Sequence, residues 1–67
     1  MITFRDANQA RMALKMKLSV YGWYGSSMII SGQDGYSVLV LVKRLDNQVR
    51  KVISPVYNGV SVRVELE

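Results

Sequence analysis

The chain of 67 residues has no cysteine, no histidine and one proline, and it carries five acidic residues against nine basic ones. Without cysteine, neither disulfides nor thiolate metal sites can form. Without histidine, the commonest general base and metal ligand is missing. The acids stand singly and lack the spacing of a calcium loop; they are Asp6, Asp34, Asp46, Glu65 and Glu67. We therefore expect no metal and no cofactor.

The groups that remain for catalysis form no recognisable constellation. The lysines, tyrosines and serines make no triad, and the acids make no paired carboxylates. The glycines fit neither a dinucleotide fingerprint nor a phosphate loop, and those considered are Gly22, Gly25, Gly32 and Gly35. The sequence predicts that the protein is not an enzyme.

The length and hydrophobic content predict one small folded domain over residues 1–67. Hydrophobic residues make up 49% of the chain, which argues against disorder. No apolar run reaches the roughly 20 residues of a membrane span, and the N-terminus does not resemble a signal peptide, so we expect a cytoplasmic protein. Leu66 and Glu67 could be a cloning scar. A domain of this size often needs a disulfide, a metal or self-association, and only self-association is left open.

The sequence predicts a helix from Ala7 to about Leu18, with Asp6 as its N-cap. This segment consists of good helix formers without glycine or proline. One broad face is apolar and is expected to face the core; it contains Ala7, Ala10, Ala13, Leu14 and Leu18. Met12 and Met16 lie one turn apart on a different face, which a helix packed on a single sheet does not need to bury.

The run at residues 36–42 is rich in β-branched residues and lies between the turn-forming residues 31–35 and the pair Lys43 and Arg44. It predicts the central strand of a sheet. Asp34 and Gly35 favour a hairpin with the strand that contains residues 28–30, through a five-residue connection. Residues 20–24 indicate a bulged or kinked first strand, and the alternation at residues 60–65 predicts a last strand with one buried face.

The segment from Leu45 to Asn58 is ambiguous. Asp46 as an N-cap, with Val49, Val52 and Ile53 at helical spacing, favours a short helix that ends before Pro55. The alternative is an antiparallel meander with a strand from Gln48 and a tight turn at residues 58–59. The predicted fold is α+β, with an N-terminal helix packed on a three- to four-stranded sheet. The element order is α-β-β-short α or loop-β, with the meander as its alternative.

The central strand has two apolar faces. Period-two geometry places Val38, Val40 and Val42 on one face, and Leu39 and Leu41 on the other. One helix covers only one face of a small sheet. Either the short element at residues 49–53 or a second copy of the chain is expected to cover the other face.

The leading functional prediction follows from this unpartnered surface. Aromatic residues and methionine are enriched at protein interfaces. We expect a module that binds itself or another protein. The candidate interface residues are Met12, Met16, Trp23, Tyr24, Leu39 and Leu41.

The alternative prediction is nonspecific nucleic-acid binding. The net charge is +4 and the pI is near 9.8. A turn near Asp46 could join Lys43 and Arg44 to Arg50 and Lys51 in one phosphate-binding patch. The same residues are also explained as a solvated rim that protects a sheet edge, and we favour this interpretation over phosphate binding. Base stacking on Tyr21 and Trp23 is also less expected than burial of the only tryptophan.

Overall fold

A computed structural model describes residues 2–33 and 35–67 of the chain. Its elements, in chain order, are α1 (Phe4–Leu18), β1 (Tyr24–Gly32), β2 (Gly35–Val42), α2 (Asn47–Val52), β3 (Val56–Tyr57) and β4 (Val60–Leu66). The strands form one sheet in the order β1-β2-β4-β3. Strand β4 is parallel to β2, and the other neighbouring pairs are antiparallel. The predicted α+β order is confirmed, and the meander is wrong because β2 and β4 run in the same direction.

Helix α1 begins three residues earlier than predicted, and Thr3 caps it instead of Asp6. The Thr3 hydroxyl oxygen accepts a hydrogen bond from the Asp6 backbone N–H at 3.2 Å. Asp6 therefore lies in the first turn, where a negative charge suits the helix dipole. The predicted end at Leu18 is confirmed. The helix buries Ala7, Ala10, Leu14 and Leu18, whereas Ala13 is only half-buried.

The ambiguous segment contains features of both alternatives. Asp46 caps α2, since its Oδ1 accepts a hydrogen bond from the Val49 N–H at 3.1 Å, and the helix ends before Pro55. Asn58 and Gly59 then adopt φ values of 52° and 78°, as a tight hairpin turn between β3 and β4 requires. The segment has room for both the helix and the turn because the strand between them, β3, is only two residues long.

Strand β1 begins later than predicted, at Tyr24, and continues two residues further into the predicted connection, to Gly32. Gly32 pairs with Gly35, so the hairpin connection is two residues and not five. One of those two, Asp34, lies outside the described residues. The predicted irregularity lies at Gly25, where the register with β2 shifts, and residues 20–23 form turns. A Cβ atom on Gly25 would lie 2.7 Å from the Leu41 carbonyl oxygen, so this bulge needs glycine.

Both helices pack on the same face of the sheet. Val38, Val40 and Val42 of β2 are fully buried on this face. The α1 side chains and Val49 of α2 belong to the same core cluster. Ile53, just after α2, borders a cavity with Val62 and Val64, which lie on the core side of β4. The expectation that residues 49–53 could cover Leu39 and Leu41 is therefore wrong.

Candidate functional site

The sheet face opposite the two helices has no covering layer among the described residues. Strand pairing aligns Met28 with Leu39 and Leu39 with Arg63 in one row, and Leu41 with Glu65 in the next. Ile30 and Val56 lie on the same side, because they pair with Ser37 and Ser61. We call this surface the open face, and its members are Met28, Ile30, Leu39, Leu41, Val56, Arg63 and Glu65.

The apolar members of the open face remain accessible to solvent. Met28 is 42% exposed and Val56 is 55% exposed. Ile30, Leu39 and Leu41 are half-buried. The partly buried hydrophobic residues that pack against the core include Ile29 but not its neighbour Ile30. The open face is therefore an apolar surface separate from the core.

The open face carries one positive and one negative side chain. Arg63 Nη2 lies 3.3 Å from Glu65 Oε2, and both side chains are more than half exposed. Such an exposed pair contributes little to stability by itself. It does make the open face neutral overall and gives it both signs of charge.

The structure separates the predicted interface residues. Leu39 and Leu41 lie on the open face, whereas Met12 and Met16 lie on α1 and are 52% and 79% exposed. Tyr24, at the start of β1, is half-buried, and its hydroxyl donates a hydrogen bond to Ser27 Oγ at 3.0 Å.

Trp23 does not belong to an accessible interface. It is 5% exposed, belongs to the core cluster and stacks on Tyr21 with ring centroids 4.8 Å apart. Its indole N–H is buried and has no hydrogen-bond partner among the described residues. Trp23 is thus a core residue, and its ring is not available for stacking on a base or a partner.

Met28, Ile30, Val56, Arg63 and Glu65 are members of the open face that the sequence reasoning missed. The length of the hairpin connection would have identified Met28 and Ile30, since a two-residue turn fixes which β1 residue pairs with Leu39. The predicted five-residue connection pairs Leu39 with Ser27 instead, a shift of one residue that moves Met28 and Ile30 to the core face. The position of Arg63 also required the parallel register between β2 and β4.

The four predicted phosphate-binding cations lie in different surroundings. Arg44 Nε lies 3.1 Å from Asp46 Oδ2, and its Nη2 donates a hydrogen bond to Gln48 Oε1 at 2.9 Å. Lys43 and Arg44 border a cavity of about 370 Å³ beside Trp23. Arg50 borders a separate cavity of about 280 Å³ beside Ile53. Lys51 is exposed on α2.

Within residues 2–33 and 35–67, acidic side chains do not gather in a group of three or more that could hold a metal ion. Over the same residues, neither helix is long and apolar enough to cross a membrane.

Comparisons with protein-family models, with curated proteins and with solved structures find no match to this chain.

Proposed function

We propose that this protein is a non-enzymatic interaction module that self-associates through the open face. One observation carries the proposal: both helices pack on the same side of the sheet, and within residues 2–33 and 35–67 no layer covers Leu39 and Leu41 on the other side. Domains are normally built from layers that bury each apolar face of a sheet. In a chain of 67 residues without cysteine or histidine, a second copy is an available source of that layer.

A standard dimer interface would occupy a modest share of the surface of this chain. A standard interface buries about 800 Å² on each partner. The described part of the chain has an accessible surface of 4512 Å², so such an interface would use less than a fifth of it. The three long strands of the sheet present their open sides together.

The charges of the open face favour a second copy as the occupant. In a two-fold dimer the same patch occurs on both partners and must complement itself. Arg63 and Glu65 supply both signs, so Arg63 of one copy can face Glu65 of the other. The apolar residues then form the centre of the contact and the charges lie toward its rim, as in ordinary protein interfaces.

Sedimentation equilibrium of the wild-type protein tests this function. The chain has a mass of 7.6 kDa. We expect the average mass to rise toward twice this value as the concentration increases into the tens of micromolar. The protein would be no self-association module if its mass stayed at the monomer value over the whole range.

Nucleic-acid binding through Lys43, Arg44, Arg50 and Lys51 is the alternative proposal. The net charge of +4 supports it. The ion pair of Arg44 with Asp46 weakens it, because one of the four cations is already partly neutralised. A titration with oligonucleotides at low and high salt decides the matter, since phosphate contacts lose affinity steeply as salt rises. A cytoplasmic location remains a prediction.

A further inference from the structure

Strand β1 lies at one edge of the sheet, because the strand order is β1-β2-β4-β3. Its inner side pairs with β2 from Tyr24 to Gly32. In the part of the chain that the structure describes, no strand pairs with its outer side, so backbone groups are available there. Edge strands are usually protected by charged residues, by proline or by shortness. The nine residues of β1 include neither a charged residue nor proline.

Helix α1 runs beside this edge and presents two cations to it. A cavity of about 210 Å³ lies between the two elements, and its lining consists of Arg11, Lys15, Tyr24, Gly25, Ser26 and Ser27. An adjoining groove of about 350 Å³ shares Arg11 and Lys15 and adds Met12 and Met16. One continuous surface therefore combines available backbone, positive charge and flexible thioether side chains. We call it the β1 edge surface.

Neither cation of the β1 edge surface forms an ion pair with an acid within the described residues, although the Glu67 carboxylate lies beside Gly25 at one end of the surface. Arg11 donates hydrogen bonds to the neutral Asn8 Oδ1, at 3.0 and 3.3 Å. The two ion pairs of the described chain involve Arg44 and Arg63 instead. The surface is therefore complementary to a negatively charged partner.

We propose that the β1 edge surface binds an extended acidic segment of another protein as a fifth strand of the sheet. Strand addition obtains affinity from backbone hydrogen bonds and specificity from alternate side chains. The side chains of the added strand that point toward α1 meet Arg11 and Lys15, which select acidic residues. Apolar residues of the segment pack on Met12 and Met16, since methionine adapts to irregular partners.

A second copy of the chain is a poor occupant of this surface. Strand β1 contains no acidic residue, and pairing two β1 strands with the helices on one side would bring the cations of both copies toward the same axis. Like charges disfavour that contact. The β1 edge surface and the open face thus differ in charge and have different partners, so this inference does not depend on self-association.

An NMR titration of the Leu41→Lys variant tests the inference in a background designed to be monomeric. The probe is a synthetic eight-residue peptide with threonine at the even positions and with glutamate and valine taking turns at the odd positions, so that glutamate and valine lie on the same face of the extended strand. The controls are the same peptide with glutamine and with lysine in place of glutamate. We expect amide shifts along residues 24–32 with the glutamate peptide, and weaker shifts with the other two. Absence of shifts in β1, or equal binding of all three peptides, would overturn the inference.

Two double variants test whether Arg11 and Lys15 cause the preference for the glutamate peptide. We expect Arg11→Gln with Lys15→Gln to weaken glutamate-peptide binding about tenfold at low salt, because two exposed contacts are lost. The matched variant, Arg50→Gln with Lys51→Gln, removes the same charge elsewhere and should leave binding unchanged. Equal loss in both variants would indicate a general charge effect and contradict the proposed site.

Discussion

Replacing Leu14 with alanine is expected to lower the free energy of unfolding by about 2–5 kcal/mol. Leu14 is 2% exposed and lies in the core cluster with Val38 and Val40. Truncation removes its buried methyl groups and leaves a cavity that the close-packed surroundings fill only in part. A single core in a domain of this size rarely supplies more than about 3–5 kcal/mol. Urea denaturation followed by circular dichroism should therefore find the variant largely unfolded.

Leu39→Ala is the matched control, because it makes the same chemical change on the other side of the sheet. Leu39 is half-buried on the open face, outside the residues that pack against the core. Measured below the concentration of association, its truncation is expected to cost less than about 1 kcal/mol, because no enclosed cavity results. Equal losses at Leu14 and Leu39 would mean that the open face contributes to the core of the monomer.

Leu41→Lys is expected to abolish association at concentrations where the wild type is dimeric. Leu41 lies between Ser26 and Glu65 in the row next to Leu39. In the proposed dimer the substitution would replace an apolar side chain at the contact of each copy with an ammonium group, and burying that group costs several kcal/mol, which pairing with the neighbouring Glu65 does not fully offset. The dissociation constant should rise by a factor of more than about 100. Sedimentation velocity at matched concentrations measures this change.

Val20→Lys is the control for that substitution. Val20 is 79% exposed and lies in the turn after α1, away from the open face. It adds the same charge to the protein without touching the proposed contact. Equal dissociation of the Val20 and Leu41 variants would point to net charge, and not to the open face, as the determinant of association.

The local elements were predictable where one residue decides the geometry. Asp46 caps α2 as expected, because its carboxylate satisfies the Val49 N–H. Asn58 and Gly59 form the tight turn because both tolerate positive φ. The cap of α1 was predicted wrongly because Thr3 and Asp6 are both good N-cap residues. The Thr3 side chain accepts the hydrogen bond from the Asp6 N–H, which places Asp6 inside the first turn.

The side on which α2 packs could not be obtained from its own residues. Val49 and Ile53 show that the short helix has an apolar side, but either face of β2 could have received it. The outcome depends on the path from β2 through α2 and β3 to the parallel strand β4. The sequence therefore revealed two apolar faces on residues 36–42, while only the tertiary structure distinguished the core from the open face.

The placement of the charged residues shows the same limit. Two basic pairs are close in sequence, Lys43 with Arg44 and Arg50 with Lys51. In the structure the first pair borders one cavity, and Arg50 borders a different one. Arg11 and Lys15 belong to the basic residues of α1, and only the neighbouring edge of β1 indicates what they could bind. Charge clusters along a chain predict a binding surface only when the path of the chain is known.

Contacts between copies at the open face provide the most direct test of the central claim. An isotope-filtered NOE experiment on a mixture of labelled and unlabelled chains detects only protons that approach each other across a dimer. We predict cross-peaks from the methyl groups of Leu39 and Leu41 to open-face residues of the other copy, including Met28. Intermolecular cross-peaks that involve only Met12 and Met16, or none at dimer-forming concentrations, would contradict the account.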